Sequence, residues 1–202
     1  DLFLTETAQV ADVVLPAASF AEKDGTFTST DRTVQRVRKA IEPLGNARED
    51  WAITSDLAQR VLASGKRMIA GGTAAGWDYA NSAQILSEIN ALTPSYAGAT
   101  YERLERGETF QWPVKDANHA GTPVLHIGQF ARGKGRFAPI EHVPPAELPA
   151  VDYPMILNTG RVLYHYHGGE MTRRARGLME IYGRALVEVN PEDALKLGLE
   201  DR

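Results

Sequence analysis

The sequence predicts a mixed α/β unit followed by the opening of a β-barrel. Three observations carry this expectation. Two helical patterns with one apolar face stand in the first half, over 49–62 and 81–92. Composition shifts near residue 120. Beyond it, short apolar runs bounded by proline and glycine dominate, as strands do. The expected domains are therefore 1–120 and 121–202. A chain of 202 residues is long enough for one large or two small domains.

Each element has a local reason. Asp12-Val-Val-Leu15 before Pro16 reads as a short strand entering a turn. Ser19 to Lys23 spans one helical turn, which Asp24-Gly25 breaks. Thr26 to Lys39 mixes β-branched residues with Arg32, Gln35, Arg36 and Arg38, and fits an extended, partly exposed segment. Over 49–62, Trp51, Leu57, Ala58, Val61 and Leu62 are placed on one face, with Glu49 and Asp50 favouring the start. Residues 64–79 are glycine-rich without a period and read as a loop. The second helix is capped by Asn81 or Ser82, turns Ile85, Leu86 and Ile89 inward, and ends at Pro94. A short third helix is expected over 100–106. Strands are expected over 123–127, 135–140, 153–158 and 185–189. A last helix begins with Asn190 as cap and Pro191 at the first position, and stops at Gly198.

Bulk properties remove several function classes. Hydrophobic content of 43% and charged content of 24% are ordinary for a globular protein. A net charge of −4 argues against general nucleic-acid binding. No apolar run approaches membrane-spanning length. With no cysteine, these residues form no disulfide, thiolate nucleophile, iron–sulfur site or zinc–thiolate site. That is compatible with a cytoplasmic location. The opening DLFLTETAQVADVVLP has no signal-peptide pattern and reads like the middle of a domain, so the chain is expected to be a piece of a longer polypeptide.

The densest stretch is 159–174, TGRVLYHYHGGEMTRR. After the apolar run 153–157 come Thr159-Gly160, Arg161, His165 and His167, Gly168-Gly169, and Thr172 with two further arginines. Glycine lets a backbone come close to a ligand, and arginine meets phosphate in a fork. The segment suits a large polar anion.

Other constellations fare worse. His165 and His167 on a strand would face one side and reach one metal ion, but no third ligand stands nearby and the neighbouring arginines repel cations. The run 71–76, GGTAAG, lacks the Gly-Lys-Ser/Thr ending of a phosphate loop and reads as a surface loop. Arg132, Lys134 and Arg136 read as a solvated basic turn. Glu22, Asp24 and Asp31 form a candidate acid–base group, against which stands the reading of solvated loop charges. Asp1 and Thr5 flank Phe3-Leu4, where an aspartate accepts hydrogen bonds from a base or sugar.

Several stretches together resemble the molybdopterin-dependent oxidoreductases, specifically the large (alpha) subunit of molybdenum- or tungsten-containing formate dehydrogenases. They are DLFLTETAQVADVVLPAASFAEKDGTFTSTDRTVQRVRKAIEP, EDWAITSDLA, PSYAGATYERLE with QWP, GTPVLH with GRF, YPMILNTGRVLYHYHGGEMTRR and VEVNPEDALKLGLED. They occur in the order found in the family and cover nearly the whole chain. The resemblance implies an internal or C-terminal portion of that subunit. It also implies a dinucleotide-binding-like α/β domain followed by the start of a double-psi barrel.

The family binds two molybdopterin guanine dinucleotides holding molybdenum or tungsten. The resemblance places the metal ligand, the formate-handling residues and a 4Fe–4S cluster upstream, so no catalytic residue or metal ligand is expected here. By position, Asp1 and Thr5 match residues holding one guanine nucleotide. Arg161 and His165 match residues lining the other dinucleotide. Thr159, Gly160 and Thr172 lie in the same pattern, and His167 falls where some relatives carry a small hydroxyl residue. Gly25, Thr26, Ser29 and Gln35 belong to a family pattern without an assigned contact. The implied partners are formate and CO2, the rest of the catalytic subunit and electron-transfer subunits. The competing readings are a non-catalytic scaffold of the type in the large iron–sulfur subunit of respiratory complex I, and a related reductase such as nitrate reductase.

Overall fold

A computed structural model describes residues 1–64 and 76–201. The chain divides into two compact units, Asp1–Arg136 and Phe137–Arg202. Most of the glycine-rich run read as a loop, 71–75, lies outside the described residues.

The first unit begins with a single helical turn, α1 (Glu6–Gln9), capped by the Thr5 hydroxyl, which accepts from the Ala8 amide at 3.2 Å. The expected strand over 12–15 does not form. That segment stays extended, and only Ala17 beyond it makes a bridge, to Arg48. The helical turn expected over 19–23 is a 3₁₀ turn, Phe20–Glu22, closed by a capping box between Ser19 and Glu22. The extended segment after it is an antiparallel hairpin of β1 (Gly25–Thr28) and β2 (Val34–Val37), with Gly25 opposite Val37 and Thr28 opposite Val34.

Helix α2 (Asp50–Ala63) forms as expected, but its inward face differs. Trp51, Ser55, Ala58 and Leu62 follow the helical spacing of partly or fully buried positions, while Leu57 is 54% exposed. Leu57 lies two residues from Ser55, about 200° round the helix, so both cannot face inward. Helix α3 (Ser82–Leu92) is capped by Asn81, which accepts from the Gln84 amide at 3.1 Å. It buries Leu86, and Pro94 opens a 3₁₀ turn just beyond. Helix α4 (Tyr101–Glu105) is capped by Thr100.

The core of this unit is Val34, Ala99, Leu104, Phe110 and Val114, with Tyr96 and Trp112 packed against it. Three arginines tie the irregular segments to it. Arg103 donates to the Glu108 carboxylate at 2.7 Å and to the Gly98 and His119 carbonyls at 2.8 and 3.1 Å, over the Phe110 ring. Arg32 donates to the carbonyls of Trp112, Thr122 and Pro123. Arg36 bridges Asp24 and Glu105 and lies over the Tyr101 ring.

In the second unit the described residues contain helices and turns but no strand. None of the runs 123–127, 135–140, 153–158 and 185–189 is a strand in either unit. A strand exists only as part of a ladder, and none of these runs joins one, the Tyr153–Ala150 pair closing only a turn, so alternation and β-branching alone do not hold them. Their side chains stay exposed, as at Ile140, Ile156 and Val187. Helix α5 (Arg176–Ile181) follows a 3₁₀ turn, Thr172–Arg174. Helix α6 (Pro191–Leu197) forms as read from the sequence: Asn190 accepts from the Glu192 amide at 2.9 Å, and Gly198 ends the helix at φ +65°.

Candidate functional site

The stretch singled out in the sequence lines an open groove of about 970 Å³ in the second unit. Six of the expected binding residues meet there: Thr159, Gly160, Arg161, His165, His167 and Thr172. The backbone over 159–164 is irregular, without helix or strand bonds, so successive residues present to one hollow rather than to alternate faces.

Each contributes differently. Arg161 is exposed, and among the described residues its guanidinium has no hydrogen bond or ion pair. A Cβ added at Gly160 meets nothing within 4 Å, so this backbone is open to close approach. His165 is half-buried, with Nδ1 at 3.0 Å from the Thr172 hydroxyl and Nε2 at 2.6 Å from the Tyr182 carbonyl. His167 sits at φ +52° with its ring edge-on to Tyr166. The strand that would aim both imidazoles to one side is absent, and the two rings have different surroundings. Among the described residues, no group of three His, Asp or Glu side chains is placed to hold a metal ion.

The tight turn after His167 explains the paired glycines. Gly169 is buried at φ +80°, and a Cβ there would stand 2.8 Å from Cγ of Arg173. Leu178 and Tyr182 join the site from α5 and its C-cap. No sequence signal marks them, because they reach it through the fold of the intervening turn.

Asp1 and Thr5 lie in the first unit. One Asp1 carboxylate oxygen accepts from the Phe3 amide at 3.4 Å. The Thr5 oxygen caps α1, which leaves its hydrogen free to donate.

The candidate acid–base group has structural work instead. Glu22, expected to be solvated, is buried. It accepts from the Ser19 and Leu44 amides, and the Ser19 amide above all holds its carboxyl below the ordinary range. Asp31 accepts from the Ser29 hydroxyl and from Thr33, and the Ser29 bond is the main cause of its lowered pKa. Asp24 accepts from Arg36. A smaller cavity of about 280 Å³ in this unit touches Lys23 and Asp24, but both are paired, with Asp50 and Arg36.

Residues 1–60 match the model of the molybdopterin oxidoreductase family, and residues 155–202 match that of the molydopterin dinucleotide binding domain, which contains the whole groove stretch. The chain is 47% identical to the F420-dependent formate dehydrogenase subunit alpha of Methanocaldococcus jannaschii, over 100% of this chain and 28% of that protein. It is 43% identical to the F420-dependent formate dehydrogenase 2 subunit alpha of Methanococcus maripaludis, over 99% of this chain and 28% of that protein. A probable oxidoreductase of Bacillus subtilis, YjgC, is 38% identical over 100% of this chain and 19% of its own length.

These matches define the class first: a chain with two segments that match molybdopterin-related family models, one of an oxidoreductase and one of a dinucleotide-binding domain. The chain carries a segment of the molybdopterin oxidoreductase family and one of the molydopterin dinucleotide binding domain, and spans 28% of the length of the F420-dependent formate dehydrogenase alpha subunits named above.

Proposed function

We propose that this chain is a portion of a formate dehydrogenase catalytic subunit, interconverting formate and CO2, and that its groove forms a wall of the molybdopterin guanine dinucleotide site. The observation that carries the reading is Arg161, a guanidinium without a counter-charge among the described residues, lining a groove beside the open backbone of Gly160. A buried pyrophosphate needs charge-assisted donors, and a forked guanidinium meets two of its oxygens at once. The groove is also of the size that holds a large organic ligand.

In this reading Arg161 binds the pyrophosphate, and Gly160 allows the ligand to approach the main chain. Thr159 and His167 add donors at the two ends of the lining segment. Asp1 has one carboxylate oxygen without a partner among the described residues, suited to the N–H edge of a guanine, and the Thr5 hydroxyl hydrogen suits a neighbouring acceptor. The two segments belong to a dinucleotide-binding-like α/β domain and a double-psi barrel, with residues 1–120 and 121–202 as their shares. When bound, a bis-dinucleotide molybdenum or tungsten centre supplies the acceptor for the two electrons that formate gives up with one proton on becoming CO2. A 4Fe–4S cluster in the rest of the subunit and electron-transfer subunits carry the electrons away. These residues orient and neutralise the cofactor. The groups that handle formate lie elsewhere in the subunit.

The test is Arg161→Ala in the full-length enzyme. Losing a charge-assisted contact of about 1.5–3 kcal/mol lowers retention of the dinucleotide by roughly tenfold or more. Arg161→Lys keeps the charge without the fork and retains an intermediate amount. Wild-type dinucleotide content and formate oxidation in Arg161→Ala would overturn the assignment.

A further inference from the structure

His165 and Thr172 line the groove, yet their hydrogen bonds run to each other and to the main chain. The Tyr182 carbonyl only accepts, so the 2.6 Å contact puts the imidazole hydrogen on Nε2. With that hydrogen on Nε2 as the ring's one N–H, Nδ1 carries a lone pair, and the Thr172 hydroxyl, 3.0 Å away, fills it as donor. The Thr172 oxygen in turn accepts from the Tyr166 amide at 3.3 Å. One tautomer satisfies all three contacts in series. It leaves neither side chain a hydrogen to donate to a phosphate oxygen, which is itself only an acceptor.

We infer that His165 and Thr172 are positioning residues: a relay from the Tyr182 carbonyl through the His165 ring and the Thr172 hydroxyl to the Tyr166 amide clasps the excursion 166–182 shut and sets the groove wall that Arg161 shares. The surroundings agree. The Tyr182 ring stacks beside Tyr164 at 6.0 Å and meets the His165 ring edge-on at 5.8 Å. Within the excursion, Gly169 donates to the Tyr166 carbonyl at 3.0 Å and accepts from the Arg173 amide at 2.8 Å, so the turn closed by the relay is itself hydrogen-bonded. The clasp follows from these contacts alone, and its consequence for cofactor retention rests on the function proposed above.

The test uses full-length protein, with and without cofactor, and three variants. Thr172→Val removes the hydroxyl and keeps the shape. In cofactor-free protein the Tyr166 and Gly169 amides should exchange hydrogen about tenfold faster, the effect of losing one such bond. In loaded protein, dinucleotide should be released faster, read as guanosine monophosphate recovered from the retained fraction. Thr172→Ser should restore both readouts. Arg161→Ala should lower dinucleotide content while leaving exchange at Tyr166 unchanged. Unchanged exchange in cofactor-free Thr172→Val, together with lower dinucleotide content, would show the hydroxyl touching the ligand directly and would overturn the clasp. Normal dinucleotide content in Arg161→Ala with faster exchange in Thr172→Val would sink the proposed function and leave the clasp standing.

Discussion

Arginine serves opposite ends in the two units. In the first, Arg32, Arg36 and Arg103 are each tied by several bonds: their donors meet loop carbonyls and carboxylates, and two of them lie over aromatic rings. In the second, Arg161 borders a hollow with no protein partner among the described residues. The first three replace secondary structure where the chain is irregular, giving loop carbonyls, that of Gly98 buried, the donors that a helix or sheet would have supplied. The fourth is left with charge and donors to spend on something outside the chain. The residue type is the same, and partner geometry separates scaffold from site.

The contrast breaks most visibly at the scaffold. Gly98 is buried, and a Cβ there would overlap the carbonyl of Asp116. Gly98→Ala should cost about 4 kcal/mol because a backbone carbonyl cannot swing aside as a side chain can. All three tryptophans, Trp51, Trp77 and Trp112, lie in the first unit, so the urea midpoint followed by tryptophan fluorescence in this chain reads the loss. A midpoint equal to wild type would mean the close approach of 98 and 116 is wrong.

Arg103→Met comes next, at about 3 kcal/mol by the same measurement. It keeps the apolar stem over Phe110 but strands the Gly98 and His119 carbonyls. Retention of wild-type stability would reduce Arg103 to a surface charge and erase the contrast with Arg161.

Acid should loosen the first unit. The carboxyls of Glu105 and Glu108 are held below the ordinary range, first by hydrogen bonds from Arg36 and Arg103. A depressed folded pKa means the unfolded chain takes up protons first as pH falls. This contribution is therefore complete at neutral pH, begins to fade below about pH 5, and is lost as pH passes down through the folded values. The urea midpoint should fall over that window, and a flat profile would show the pairs to be solvent-screened. The smallest effect sharpens the comparison. Arg161→Ala should change stability by no more than about 0.5 kcal/mol, since among the described residues it loses no hydrogen bond or ion pair. A larger loss, read as the thermal midpoint of cofactor-free protein, would reveal a structural partner.

Legibility followed the range of the interactions. Helices α2, α3 and α6 were readable because their caps, breakers and spacing act within a few residues. Asn81, Asn190, Pro191 and Gly198 occupy the expected places. Leu57 was misplaced because apolar character does not say which side of a helix meets a neighbour. Phe110 and Val114 carry no period, yet they lie in the core through contacts with β2 and α4. The groove stretch was legible in composition, since glycine, arginine and histidine in a short span suit an anion whatever the backbone does. The division of labour within it was not, and Tyr182 was missed altogether.

By itself the sequence determined the local units, the absence of thiol chemistry and the segment that lines the groove. These depend on residue type and near neighbours. Tertiary structure decided which arginines are spent on carbonyls, that Glu22 is buried, that the strand-like runs stay unpaired, and that His165 faces Thr172 and Tyr182. Each of those outcomes depends on an atom brought close from a distance along the chain, and a hydrogen bond is selected only by which partner arrives within about 3 Å in the right direction.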